Sequence, residues 1–329
     1  MPATTSVLPL PTAGTINPTR MNSFLRDEKL WGIDLGGTKM EGVILKSAQE
    51  PEVLFRDRLP TGADQGYEHV LGQIKKLVDH MEESVGYKAP SLGLATPGTL
   101  VARTGLLKNS NALCLNGQPM KADLEKLLGI RVEMANDANC FALAETRLGV
   151  VKQQFPDAKV VFGVILGTGV GGGLVVNGHV LDGFHGLAGE WGHNYLHEGE
   201  GTECFCGKTG CNESLLAGPA LQRYYAAHAG QPRLLKDIVA RAAAGIDPVA
   251  EQTMQRMTDL FGRALSVLVN IIDPDVIVIG GGVGNIDRLY TEGVRKVAAY
   301  VVDHVFETPV VKPRLGDSAG VFGAAYLVA

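Results

Sequence analysis

The sequence predicts an α/β protein built as two related lobes that face a cleft. Three observations carry that expectation. Short apolar runs rich in Val, Ile and Leu alternate with stretches of helical periodicity, the pattern of strands interleaved with helices. Each half opens on one strand, glycine turn, strand unit: residues 32–45 read GIDLGGTKMEGVIL and residues 163–176 read GVILGTGVGGGLVV, a weak internal repeat. A further glycine run, residues 280–282, ends an apolar run and precedes a helical one. At 329 residues, 45% hydrophobic and 20% charged, the chain has ample material for such a core.

In order, residues 30–34, 40–45 and 52–59 read as strands, and residues 67–83 as a helix through Val70, Ile74, Leu77, Val78 and Met81. A strand at 91–95 stops at Thr96-Pro97-Gly98, and a polar turn, Lys108 to Asn111, precedes a helix at 121–128. A strand at 131–134 runs through Asn136-Asp137 into a helix at 140–148. The second half gives strands at 159–166 and 173–177, a long loop, and three helical stretches of which the last is 248–272. A buried strand at 275–279, a helix at 286–302, an edge strand at 310–314 and a closing helix at 321–327 complete the chain, Pro313 favouring the edge.

The formal net charge of -5 argues against binding a phosphate backbone as the main task. No apolar run approaches the roughly 20 residues of a membrane span. Residues 1–27 are rich in Pro, Thr and Ser and lack the basic start and apolar core of a signal peptide, so a disordered tail is expected, with Met21 as an alternative start. Five cysteines, odd in number and unevenly spread, suit a reducing compartment and metal ligation better than a disulfide framework. A cytoplasmic protein is expected.

The turn Asp34-Leu35-Gly36-Gly37-Thr38-Lys39 sets an acid at a strand end before glycines whose amides can approach a ligand closely. Amides, Thr38 and Lys39 suit phosphate oxygens, and Asp34 suits hydrated Mg²⁺; a plain glycine hairpin is the alternative. Residues 167–172 match G-x-G-x-x-G, but a strand rather than a helix follows, which excludes the dinucleotide reading. A second phosphate-facing hairpin, with Thr168 and Gly169 at its tip, fits better. Gly281 and Gly282 offer bare backbone to an adenosine, or simply a tight strand-to-helix turn. Asp137 sits where it can cap the following helix or, at a strand's C-terminal end, accept the proton of an attacking hydroxyl.

The loop at 186–213 holds three of the five cysteines, two of the eight histidines and five acidic residues. Cys204, Cys206 and Cys211 form a glycine-turned knuckle that suits tetrahedral zinc, with His193 or His197 as the fourth ligand. The spacing C-x-C lacks the C-x-x-C of a redox pair. His179 and His185 have no such partners and read as ordinary loop histidines.

Taken together, DLGGTK, the Pro97-Gly98 and Asn136-Asp137 pairs, LGTG, E-x-G-H, C-x-C-G-x-x-G-C-x-E and the late GGG resemble the ROK family of sugar kinases and repressors, over residues 30–329. The resemblance implies a two-lobed, actin-like or ribonuclease-H-like ATPase fold with a zinc-stabilised loop. It divides the chain into the tail 1–27, a small lobe of 28–135 plus 316–329, and a large lobe of 136–315. It implies Asp137 as catalytic base, with Gly98, Asn111, Asn136, Glu190, His193 and Glu213 at the sugar. Asp34, Gly36, Gly37, Thr38, Lys39, Thr168, Gly169, Gly281 and Gly282 would serve ATP and Mg²⁺. His193, Cys204, Cys206 and Cys211 would hold structural Zn²⁺, leaving His197 outside. Residues 190–194 (EWGHN), 116–119 and 270–275 resemble the fructokinase (manno-fructokinase) branch most closely, so phosphorylation of the fructose 6-hydroxyl is expected. Glucose, mannose or an N-acetylhexosamine are the alternative acceptors. The resemblance implies a homodimer. The tail is too short and polar for the helix-turn-helix of the family's repressors, and a non-catalytic sugar sensor ranks behind the alternative acceptors as the competing reading.

Overall fold

The computed structural model describes residues 29–197 and 200–329, so the expected tail lies outside the described residues. Strand β1 (Leu30–Leu35) pairs antiparallel with β2 (Lys39–Leu45) in the register Leu30↔Leu45 to Leu35↔Met40, which leaves residues 36–38 as the turn. Strand β3 (Val53–Pro60) adds antiparallel to β2, and helix α1 (Tyr67–Val85) follows. Strand β4 (Ser91–Thr96) lies parallel to β1. A small hairpin, β5 (Thr99–Val101) and β6 (Leu106–Lys108), precedes helix α2 (Met120–Leu128) and strand β7 (Arg131–Asn136), parallel to β4. The first sheet therefore runs β3-β2-β1-β4-β7.

Helices α3 (Asp137–Arg147) and α4 (Val150–Gln154) lead to the second sheet. Its hairpin is β8 (Val160–Leu166) and β9 (Val170–Val176), with β10 (His179–Val180) antiparallel on β9. After helices α5 (Asn212–Leu216), α6 (Gly218–Ala229), α7 (Leu235–Ala243) and α8 (Pro248–Ile272), strand β11 (Val276–Gly280) joins parallel to β8. Helix α9 (Glu292–Tyr300), strand β12 (Val310–Val311) and helix α10 (Ala319–Tyr326) end the chain. The order β10-β9-β8-β11-β12 repeats the first sheet's pairing, two antiparallel partners on one side of the first hairpin strand and two parallel ones on the other. The hairpin repeat in the sequence thus extends to whole sheets.

Local chemistry sets the boundaries. Helix α8 starts at Pro248 because Asp247 Oδ1 accepts from the Val249 and Ala250 amides, and proline fits a first helical position. The helix expected over 286–302 is shorter than its periodicity suggests. Turns at Val283–Asn285 and Asp287–Leu289 come first, because Tyr290 turns inward and donates to Gly284 O at 2.7 Å beside the end of β11. The strand expected at 310–314 contracts to two residues on the sheet edge, as Pro313 allows no more ladder.

Alternation along β1 sends Trp31, Ile33 and Leu35 into a core beneath α1 and α2, while Leu30 faces a second core shared with α3 and α10. Helices α3 and α10 lie side by side between the sheets, and small residues let them approach to backbone contact. A Cβ on Gly93 of β4 would lie 1.7 Å from Ala324 O, and one on Gly323 would lie 1.8 Å from Cys140 O. Among the described residues no helix is long and apolar enough to cross a membrane. Gly323→Ala should lower stability by about 1–3 kcal/mol, because backbone rather than a flexible side chain must yield; urea unfolding measures it, and an unchanged midpoint would contradict the packing described.

Candidate active site

Two carboxylates meet at the C-terminal ends of β1 and β7. Asn136 caps α3, its Oδ1 accepting from the Asn139 amide at 2.7 Å. That leaves the Asp137 carboxylate with the adjacent Ala138 amide at 2.8 Å and an open side toward solvent. Of the two roles open to Asp137 in the sequence, Asn136 fills the cap. The Asp137 carboxylate faces the open cleft, yet the surrounding protein still desolvates it in part, which raises its pKa against the pull of the backbone amides. Asp34 is pushed up to about 6, first by burial, then by the charges of Asp137 and Glu41, with Lys39 opposing. Glu41 is itself matched by Arg56 and by Arg58 at 2.9 Å, so Asp34 is left undercompensated. The start of α10 presses against it: a Cβ on Gly320 would lie 2.5 Å from Asp34 Oδ2.

The loop at 186–213 forms one wall. Trp191 is buried, its indole nitrogen donating to Gly171 O at 2.7 Å, and Asn212 Nδ2 donates to Trp191 O at 2.7 Å. A Cβ on Gly192 would lie 1.8 Å from Val170 O, so the turn Trp191–His193 is locked onto β9. Glu190 and His193 flank that anchor. Glu190 Oε1 lies 3.5 Å from Asn136 Nδ2, and its pKa is raised by burial while His193 opposes. Lys108, which the sequence placed only in a turn, also acts on Glu190. Trp191 faces the core beside Phe162, at 6.3 Å between ring centroids, and does not line the site.

The four expected metal ligands converge. Donor atoms of His193, Cys204, Cys206 and Cys211 all lie within 4.8 Å of one another, and Cys204 Sγ is 3.6 Å from His193 Nδ1. Tetrahedral zinc with its usual bond lengths places S and N roughly 3.5 Å apart, so the set fits a closed structural site. Burial pushes the Cys204 thiol up to about 12; a dication reverses that by holding the thiolate. Phe205 stacks edge-on to His193 at 4.8 Å. Glu213, expected at the sugar, has both oxygens occupied: Oε2 accepts from the Val170 amide at 3.0 Å, and Oε1 lies 3.5 Å from Cys204 Sγ. It ties the knuckle to the second glycine turn.

Both glycine turns open toward this region. Gly37, Thr38 and Lys39 are exposed at the first, which Thr61 braces by donating to Gly36 O at 2.7 Å. At the second, Gly218 N donates to Gly167 O at 2.8 Å, and a Cβ on Gly167 would sit 3.9 Å from Gly282 N. Gly281 has φ 85° and would bring a Cβ 2.3 Å from Leu166 O, so glycine is required there. Thr168 and Gly169 are thus joined with Gly281, Gly282 and the start of α6 in one bare backbone surface. Gly218 was not anticipated; its signal is the Gly218-Pro219 helix start. Gly98, at φ 88°, holds the end of β4 against Lys108 O, while Asn111 opens onto an apolar groove of about 770 Å³ with Leu106, Leu113 and Phe205.

In the metal-free protein Asp34 costs stability. A carboxyl whose folded pKa is raised keeps full stability below its ordinary value near 4 and loses it as pH rises through about 6. Asp34→Asn should therefore unfold on the order of 2 kcal/mol less readily than the parent at pH 8, the gap closing by pH 4. Urea titrations at both pH values check this; a variant no more stable at pH 8 would contradict it.

Comparison with known proteins extends this geometry. The family model described as ROK family matches residues 30–329. An N-acetyl-D-glucosamine kinase of Aliivibrio salmonicida is 35% identical over 306 residues, covering 90% of this chain and 98% of the relative. A ROK hexokinase structure from Thermus thermophilus superposes with TM-score 0.78 at 35% identity, covering 92% and 97%. A ROK family glucokinase from Streptomyces griseus, solved with glucose and AMPPNP, gives TM-score 0.69 at 26% identity, covering 91% and 98%. These support the α/β kinase fold. They do not support the fructokinase branch expected from residues 190–194, whose tryptophan is a core residue.

Proposed function

The chain belongs to the ROK family, and on that premise we propose that it is an ATP-dependent sugar kinase acting on the 6-hydroxyl of a hexose. The observation that carries this is the position of Asp137: open to the cleft, next to Asn136 and close enough to Asp34 and Glu190 for its charge to act on both. In this reading Asn136, Glu190 and His193 hold sugar hydroxyls and aim the sixth at the γ-phosphorus. As the new O–P bond forms, the hydroxyl proton passes to the Asp137 carboxylate, and the β–γ bridging bond breaks with its electrons leaving on ADP. The raised Asp137 pKa brings the base closer to the hydroxyl it serves. Thr38, Lys39, Thr168 and the amides of both turns would hold the phosphates, and Asp34 would hold the Mg²⁺ that accompanies ATP, through water, to screen the phosphate charge. Positioning and electrostatics supply most of the rate.

Zinc on Cys204, Cys206, Cys211 and His193 would fix the knuckle as a rigid support. Because Nδ1 of His193 faces the cysteines, its Nε2 is the nitrogen left for a sugar hydroxyl. Glu213 would stay tied to the phosphate turn through the Val170 amide, while its Oε1, which meets the Cys204 thiol only in the metal-free protein, would be released for a sugar hydroxyl once zinc holds the thiolate.

Two acceptors each have an observation in their favour. Fructose follows from the resemblance of residues 190–194, 116–119 and 270–275 to the fructokinase branch. N-acetyl-D-glucosamine follows from the relative that bears that name at 35% identity. Steady-state assays of ATP consumption with fructose, mannose, glucose and N-acetyl-D-glucosamine decide between them by kcat/KM.

Asp137→Asn should lower kcat by about 10³-fold or more while sugar affinity stays within a few-fold; a variant with near-parental kcat would remove Asp137 as the base. Purified protein should carry one zinc per chain, and Cys204→Ser should lose both the metal and several degrees of thermal midpoint. A zinc-free parent that binds sugar normally would refute the knuckle's role.

A further inference from the structure

The two repeated hairpins have far ends as well as glycine turns. Beyond β2 lie Ala48 and Gln49, and beyond β9 lie Asn177 and Gly178; seven-residue strands put these ends roughly 20 Å from the phosphate turns. Between them is a cavity of about 550 Å³ lined by the segments that follow β2 and β9 and by helices α3, α4 and α10, including Gln49, Arg147, Lys152, Asn177 and Tyr326. No Asp or Glu lines it. Among the described residues neither Arg147 nor Lys152 forms an ion pair. Arg147 is held by its Nε, which donates to Gly178 O at 3.0 Å, leaving its terminal nitrogens for a ligand. Tyr326 is fixed by donating to Ala48 O at 3.0 Å.

We propose that this cavity is a regulatory site for a phosphate monoester or phosphate itself, gripped by Arg147 and Lys152. A planar guanidinium beside an ammonium suits phosphate oxygens, and the volume accommodates inorganic phosphate or a hexose phosphate. The site is wired to the catalytic carboxylates by two helices. Helix α3 runs from Asp137 at the cleft to Arg147 at the cavity, and α10 runs from Gly320, against Asp34, to Tyr326 at the cavity. They pack against each other along their length, closest where Gly323 meets Cys140 O, so a displacement at one end is carried to the other. A ligand that draws Arg147 and the following Lys152 toward Gln49 and Tyr326 shifts both helices as a packed pair and so displaces Asp137 and the Gly320 contact against Asp34. Occupancy should therefore weaken acceptor binding. Only that last readout rests on the kinase reading; anion binding itself does not.

The test is isothermal titration of the full-length protein, without nucleotide, first with inorganic phosphate and then with the hexose 6-phosphate of the accepted sugar. Lys152→Glu should weaken phosphate binding at least tenfold, and Lys152→Arg should retain it; neither should move the acceptor KM more than twofold in phosphate-free buffer. Saturating phosphate should raise the acceptor Kd several-fold in the parent, and acceptor should raise the phosphate Kd by the same factor, as linkage requires. If hexose 6-phosphate behaves likewise and loses its effect in Lys152→Glu, the product is a source of the anion; if only inorganic phosphate does, phosphate is. Phosphate binding that Lys152→Glu leaves unchanged, or binding with no effect on the acceptor Kd, would overturn the proposal. A protein that binds phosphate through Lys152 but phosphorylates no sugar would instead overturn the kinase reading alone.

Discussion

Helices α3 and α10 touch at backbone distance, and that contact decides where two mutually repelling carboxylates stand. Gly323 against Cys140 O, Gly93 against Ala324 O and Gly320 against Asp34 leave no room for side chains between the elements. The helices therefore carry Asp137 and confront Asp34 with little freedom. Neither carboxylate is neutralised by a nearby ion pair, although Glu41 beside them has two arginines. The protein spends stability to keep Asp34 near pKa 6, a strain that the proposed binding of a cation and a polyphosphate would relieve.

The loop at 186–213 supplies the opposing wall by a different means. It has little regular structure, so its shape depends on a buried tryptophan, a glycine that admits Val170 O, and a Cys3His cluster. Glu213 connects that cluster to the Val170 amide next to the glycine turn. The second glycine turn and the 186–213 loop, proposed to serve phosphate and acceptor, are thereby joined, and a metal in the knuckle would stiffen both.

Much of this was legible in the sequence because it depends on local chemistry. The glycine hairpins, the 248–272 helix, and the spacing of Cys204, Cys206 and Cys211 all report local needs that adjacent residues reveal. Periodicity ran too far at 286–302, since the inward turn of Tyr290 is a tertiary effect. Trp191 misled in another way: within EWGHN it reads as a feature of substrate choice, whereas its indole is anchored in the core. Roles set by contacts distant in sequence stayed hidden, including Gly218 against Gly167, Lys108 acting on Glu190, and the occupancy of both Glu213 oxygens. The doubled sheet topology was hinted at by fourteen-residue repeats and became plain only once strand order was known.

Asp34 and Asp137 stand crowded and undercompensated at the cleft floor, and in the proposed function an arriving nucleotide complex would relieve them. Carboxyl ¹³C NMR titration of Asp34 tests it directly, in the metal-free protein and again with Mg²⁺ and a non-hydrolysable ATP analogue. The account predicts that Asp34 titrates near 6 when metal-free and moves well down when the complex binds. An Asp34 that titrates in the ordinary carboxylate range in both states would contradict it.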